Sequence, residues 1–180
     1  MKRLFSTIWE IAEVVVIATV TVFVIRTYLV QPFLVSGASM EPNFSDGNYL
    51  LIDEITYRFR EPARGEVVVF RYPLDRSLFF IKRIIGIPGE RIVAAGGIIK
   101  VFGAEGEMVL SESYLQSGIS LSDSFDVRLG DDQYFVLGDN RYHSFDSRNW
   151  GAIQRPDIVG LTRLRVLPVS EFGTIEAPSY

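Results

Sequence analysis

The sequence predicts a mainly β fold preceded by one apolar N-terminal helix. Three observations carry this. From Ile8 to Val30 only Glu10, Glu13 and Arg26 are charged, and apolar residues fall on every face of a helix drawn through the segment. After Pro32 the chain breaks into short β-branched or aromatic runs, each closed by glycine or proline. Two of these runs flank Gly96-Gly97, a dipeptide suited to a tight hairpin turn.

The helix comes first. Val14 to Ile25 is uncharged, but twelve residues are too few to span a bilayer, which takes about 20. The full segment from Ile8 to Val30 would run about 34 Å as a helix. Arg26 could snorkel to an interface, where Tyr28 would also be well placed. A buried soluble helix, a cleaved signal peptide and a retained anchor all compete for this stretch. Apolar character on all faces argues against the first. The small residues Ser36-Gly37-Ala38 lie far beyond the apolar run for the second. The expectation is therefore a retained transmembrane anchor over residues 1–30. Lys2 and Arg3 place its N-terminus inside and residues 31–180 outside.

Gln31-Pro32 should end the helix, because proline lacks the donor that a helix needs. Strands are then expected at Asn48–Ile52, Glu66–Phe70 and Leu78–Ile87, the last stopping at Pro88-Gly89. Arg91–Ala95 and Ile98–Phe102 form the hairpin, Gln133–Leu137 a further strand, and Ile158–Leu167 closes the sheet. Residues 103–132 read as polar and irregular, an insertion on the sheet.

A chain of 180 residues, 48% of them apolar, suffices for one domain with a sizeable core plus an anchor. Net charge is −4, so no nucleic-acid footprint is expected. There is no cysteine, hence no thiolate chemistry, and His143 is the single histidine, so a multi-histidine metal site is excluded. No metal and no cofactor are expected.

The chemistry must be sought elsewhere. Ser36-Gly37-Ala38-Ser39-Met40-Glu41-Pro42 sets a serine on a loop that glycine and proline constrain. A serine hydroxyl is a weak nucleophile until a base takes its proton. Two bases are available. His143 stands between Tyr142 and Ser144 in a polar loop. Lys82 stands in a strand whose alternation gives it Phe80 and Ile84 as neighbours on its own face. Burial there would lower its pKa, and a neutral lysine is a competent general base. Gly138 to Gly151 is dense in hydrogen-bonding groups and follows a strand directly, as suits a loop held in one shape on a rigid sheet.

Taken together, Ser39-Met40-Glu41-Pro42 behind an anchor, Arg64 to Phe70, Lys82 to Glu90, and Gly138 to Gly151 resemble the bacterial type I signal peptidases in order and spacing. The resemblance covers roughly residues 20–165. It implies an antiparallel β catalytic domain over residues 31–180 with a small β subdomain inserted at about 91–132. It implies a membrane-bound Ser/Lys endopeptidase that cleaves signal peptides from exported preproteins after a small-x-small sequence. Ser39 would be the nucleophile and Lys82 the general base. Ser144 would orient the lysine amine, Asp146 and Arg148 would stiffen the loop, and Asp139 and Asn140 would support its turn. Phe33, Val35, Met40, Val69 and Ile81 fall where the family lines its pockets for small side chains. The partners would be preprotein signal peptides and the lipid bilayer, with the catalytic domain on the outer face of the bacterial cytoplasmic membrane. One position departs. Many members have a serine two residues before the nucleophile, and here Gly37 stands there, which leaves the Ser39 N–H as the candidate oxyanion donor. A self-cleaving Ser/Lys regulator would want a DNA-binding domain in place of the anchor. A membrane-tethered, non-catalytic β module would be expected to lack Ser39 or Lys82.

Overall fold

A computed structural model describes residues 2–28, 30–104, 106–115, 121, 123–178 and 180, with the side chains of residues 2–6, 8 and 23–30 outside that description. Met1 and Leu29, within the expected anchor, lie outside the described residues. Helix α1 covers Lys2–Tyr28. Its described apolar side chains, among them Val14, Val16, Ile17, Val20 and Val22, are all exposed. The segment is thus helical as expected. Among the described residues, no helix is long and apolar enough to cross a membrane.

Among the described residues twelve strands follow: β1 (Val30–Leu34), β2 (Tyr49–Asp53), β3 (Val67–Tyr72), β4 (Asp75–Gly86), β5 (Arg91–Ala95), β6 (Ile98–Gly103), β7 (Gly106–Val109), β8 (Phe125–Arg128), β9 (Gln133–Leu137), β10 (Ile153–Gln154), β11 (Ile158–Leu167) and β12 (Gly173–Thr174). A four-residue helix, α2 (Ser147–Trp150), sits between β9 and β10. The larger sheet runs β1-β2-β11-β3-β4-β9-β10, with β12 added to β11, and the smaller runs β7-β6-β5-β8. Every pairing is antiparallel. The mainly antiparallel β fold is as expected.

β1 is an edge strand that the proline at 32 obscured. Proline is tolerated there because an edge strand can leave one side of its backbone unpaired. β1 pairs only with β2 in the sheet order. The expectation that residues 103–132 are irregular is corrected, since β7 and β8 lie in that range and flank the β5–β6 hairpin. The cause is physical. Gly-Glu-Met-Val and Phe-Asp-Val-Arg each hold only two large apolar residues, and of these Met108, Phe125 and Val127 pack on the covered face of the sheet while Val109 is exposed.

That covered face packs on the larger sheet. Ile92, Ala94, Ile99 and Val101 of the small sheet meet Ile85, Phe135 and Leu137 of the large one. A second cluster joins Val68, Phe70, Ile84, Tyr134 and Val136. A third gathers Val35, Met40, Phe44, Leu50, Ile52, Val67 and Val69 beneath the loop that carries Ser39. β4 contributes to all three, because its alternation sends Ile84 to one cluster and Ile81 and Ile85 to the others.

Candidate active site

The loop between β1 and β2 presents Ser39. Val35 N–H donates to Asn48 O at 2.9 Å and Gly47 N–H to Val35 O at 3.0 Å, which closes the loop at its base. At its tip Gly37 has φ +90°, a conformation that L side chains rarely adopt, and its N–H donates to Asp46 Oδ1 at 2.7 Å. The Phe44 N–H donates to Met40 O, so the chain beyond the serine turns inward.

Lys82 enters from β4, paired in register with Val68 of β3. It is 4% exposed. Its Nζ lies 2.6 Å from Ser39 Oγ and donates to Ile81 O at 2.9 Å. The Phe80 ring centroid is 5.6 Å away. Burial pulls the lysine pKa down from 10.5 to about 8, against the opposing pull of the Asp146 and Asp139 carboxylates. Arg83, next along the strand, is held in an ion pair with Asp139. Its Nε and one terminal nitrogen donate to Asp139 at 2.9 and 2.6 Å, and the other donates to Gly65 O.

The stretch after β9 closes over both residues. Asn140 N–H donates to Ser39 O at 3.1 Å, and its side-chain amide donates to Ala38 O at 3.0 Å. Asp139 is fully buried and also accepts from Asn43 Nδ2. Asp146 caps α2, accepts from Gly138 N–H at 3.0 Å, and takes two bonds of 2.8 Å from the Arg148 guanidinium. The structure thus brings Asp139, Asn140, Asp146 and Arg148 together after β9, with Arg83 as the partner of Asp139, a pairing that local sequence does not reveal. Ser144 Oγ is buried and without a hydrogen-bond partner, while the lysine amine is held by Ile81 O. The orienting bond expected from Ser144 is therefore not formed in this structure.

A cleft of about 340 Å³ opens beside Ser39 and Lys82. Of the residues named above for the pockets, Phe33, Val35, Val69 and Ile81 line it. Met40 does not. It is 1% exposed and packs in the core below the loop, so its place in the pocket is corrected. His143 and Phe145 lie on the rim with Phe79 and Phe80. His143 makes no hydrogen bond to Ser39, whose hydroxyl meets the lysine. Sequence reasoning missed the aromatic wall, in which Phe33 meets Phe79 at 5.5 Å and Tyr72 stacks on Phe80 at 4.8 Å. The run Phe79-Phe80 was the available signal, but alternation alone did not say which ring faced solvent.

A part-buried serine–lysine contact in an open cleft, on an antiparallel β scaffold, is an arrangement suited to a serine-type hydrolase. The family described as signal peptidase, peptidase S26, matches residues 8–167. A probable signal peptidase I-2 of Synechocystis sp. is 36% identical over 172 residues, covering 92% of this chain and 76% of that protein. A signal peptidase I of Bacillus amyloliquefaciens is 33% identical, over 93% of this chain and 90% of that protein. A crystal structure of a signal peptidase I from Enterococcus faecalis superposes with a TM-score of 0.49 at 26% identity, over 57% of this chain and 97% of that one. The chain belongs to the signal peptidase family, peptidase S26, and its enzyme class is type I signal peptidase, a serine peptidase.

Proposed function

We propose that this chain cleaves signal peptides from exported preproteins with a Ser39–Lys82 dyad, after a small-x-small sequence. The observation that carries the reading is the 2.6 Å approach of Lys82 Nζ to Ser39 Oγ, with the lysine pKa pulled down to about 8. A neutral amine at that distance is in reach of the serine proton.

The steps follow from the geometry. An extended substrate segment lies in the cleft with its scissile carbonyl carbon beside Ser39 Oγ. The oxygen attacks, the neutral Lys82 takes its proton, and the carbonyl oxygen becomes an oxyanion. The Ser39 N–H, which has no partner among the described residues, is the donor available to it. The Gly37 N–H is engaged by Asp46. The Lys82 ammonium then gives its proton to the departing amine as the peptide bond breaks. Water attacks the acyl-serine, again losing its proton to Lys82, and the new carboxyl end leaves while Ser39 regains its hydrogen. Phe33, Val35, Val69 and Ile81 close the cleft to large side chains, which suits alanine on either side of one intervening residue.

We place the enzyme on the bacterial cytoplasmic membrane, N-terminus inside. Support comes from Lys2 and Arg3 at the start of α1 and from its described apolar side chains, which are exposed. Glu10 and Glu13 would then sit near one interface. Protease protection of vesicles carrying the full chain tests the topology, and a protected, cytoplasmic C-terminal domain would overturn it.

The chemistry is tested with the full chain in detergent and a preprotein whose signal ends in Ala-x-Ala, read by mass. Ser39→Ala and Lys82→Ala should each abolish cleavage while the protein stays folded. Because the two act as a unit, the double variant should be no worse than either single one. Turnover by Lys82→Ala would refute the dyad.

A further inference from the structure

The inserted subdomain reaches the active site through one short segment. Between β7 and β8, Glu112 and Tyr114 leave the small sheet and meet the loop that follows β9. Both Arg141 terminal nitrogens donate to the Glu112 carboxylate, Nη1 to Oε2 at 2.8 Å and Nη2 to Oε1. The Arg141 side chain is 1% exposed and that of Glu112 13%, so the arginine is buried and its carboxylate nearly so. Its Nε donates to Gly138 O at 3.1 Å, and Tyr114 Oη donates to Glu112 at 2.8 Å.

Gly138 is the crowded point of the site. A methyl group there would lie 2.1 Å from Ser144 Oγ and 2.4 Å from Ser39 O. Arg141 therefore grips the residue that sets the spacing between the two catalytic loops. Tyr114 touches the other side. Its ring covers the Arg83 guanidinium at 4.1 Å, and its carbonyl accepts from Asn43 Nδ2, which also donates to Asp139.

We propose that Glu112 and Tyr114 are positioning residues for peptide-bond cleavage, fixing Gly138 and Asp139 against Ser39 through Arg141 and Arg83. The insertion thereby becomes a working part of the active site. The proposal rests on Ser39 and Lys82 being the reacting pair. Neither Glu112 nor Tyr114 lines the substrate cleft, so their loss should misplace the reacting groups without removing substrate contacts. A buried arginine left without its carboxylate is strongly unfavourable, and the loop that carries it must shift. A displacement of about 1 Å at reacting atoms can lower a rate about 100-fold.

The test measures kcat and KM separately on the full chain in detergent with the Ala-x-Ala preprotein. Glu112→Gln should lower kcat by about 10- to 100-fold and leave KM within about twofold. Glu112→Asp, which keeps the charge, should recover part of that loss. Glu107→Gln, which removes an exposed ion pair with Lys100 in the same subdomain, should leave both constants unchanged. Should Glu112→Gln fail to fold, Tyr114→Phe keeps the ring on Arg83 and removes only the hydroxyl, and it should still lower kcat several-fold. Wild-type kcat in Glu112→Gln or, should that variant not fold, in Tyr114→Phe overturns the proposal, as does a loss confined to KM. Ser39→Ala run beside them separates the two ideas: if it still cleaves, the dyad reading fails, whatever Glu112 does.

Discussion

The acid limb of the pH–rate profile discriminates between the two bases the sequence offers. Lys82 must be neutral to take the serine proton, so kcat/KM should fall as pH drops through the lysine pKa of the free enzyme. Burial brings that value from 10.5 to about 8, which places the limb in an accessible range. About one-tenth of the enzyme is then competent at pH 7, one-half at pH 8 and nine-tenths at pH 9. From pH 7 to 8 kcat/KM should rise about fivefold, and below pH 7 it should fall about tenfold per unit. Bound substrate removes more water from the amine, so the limb in kcat should lie at lower pH than the limb in kcat/KM. The perturbation is His143→Asn, which keeps polarity but cannot titrate. Initial rates on a substrate without groups titrating between pH 6 and 10 would be compared with wild type. The same limb and nearly the same kcat/KM are expected. A limb lost together with the rate would make His143 the base, and a limb near 10.5 would mean that burial does not depress Lys82.

Four further outcomes follow from named contacts. Gly138→Ala should abolish cleavage, since its methyl would lie 2.4 Å from Ser39 O, and full activity in that variant would show the two loops to be loosely coupled. Ile81→Ala should let leucine at the small positions be cut, checked by cleavage of paired substrates, because Ile81 walls the cleft. Met40→Ala should instead lower stability by about 2–5 kcal/mol with unchanged substrate choice, read by denaturation and the same paired substrates, because Met40 packs in the core. Lys82→Met should stabilise the fold at neutral pH. Between about pH 8 and 10.5 the unfolded chain binds more protons at this residue than the folded one, so the penalty is absent above that window and complete below it. It amounts to about 3 kcal/mol at pH 7, and a denaturation midpoint below that of wild type at pH 7 would contradict it.

Much of the site was legible in the sequence because it is built on strands with strict alternation. β4 could be placed within three residues of its observed ends, and that alone puts Lys82 on the face of Phe80 and Ile84. The hairpin at Gly96-Gly97 was equally plain, since both glycines take positive φ there. What escaped was whatever depends on distant packing. β7 and β8 are too short and too polar to stand out, and they are strands because the β5–β6 hairpin offers edges to pair with. The partners of Arg141 could not be read from sequence either, since Glu112 lies 29 residues away across the insertion. Met40 was misplaced by proximity, because sequence adjacency to Ser39 does not say which neighbour the turn buries.

The consecutive residues Lys82 and Arg83 show how one strand delivers two opposite electrostatic results. Both side chains are about equally buried. Arg83 meets a carboxylate in a two-bond fork, has Gly65 O as a third acceptor, and lies under the Tyr114 ring, so it stays charged and serves as a fixed strut. Lys82 meets only a hydroxyl and a carbonyl, both neutral, and its nearest carboxylates are already occupied by Arg83 and Arg148. Those carboxylates pull its pKa upward without cancelling the effect of burial. The two ion pairs therefore hold the loop in shape and also offset the charge of the two carboxylates that Lys82 feels. Removing either arginine should free a carboxylate to pair with Lys82, raise its pKa and move the acid limb to higher pH. On this argument, the rigidity of the loop and the basicity of the lysine are set by the same two arginine–carboxylate pairs.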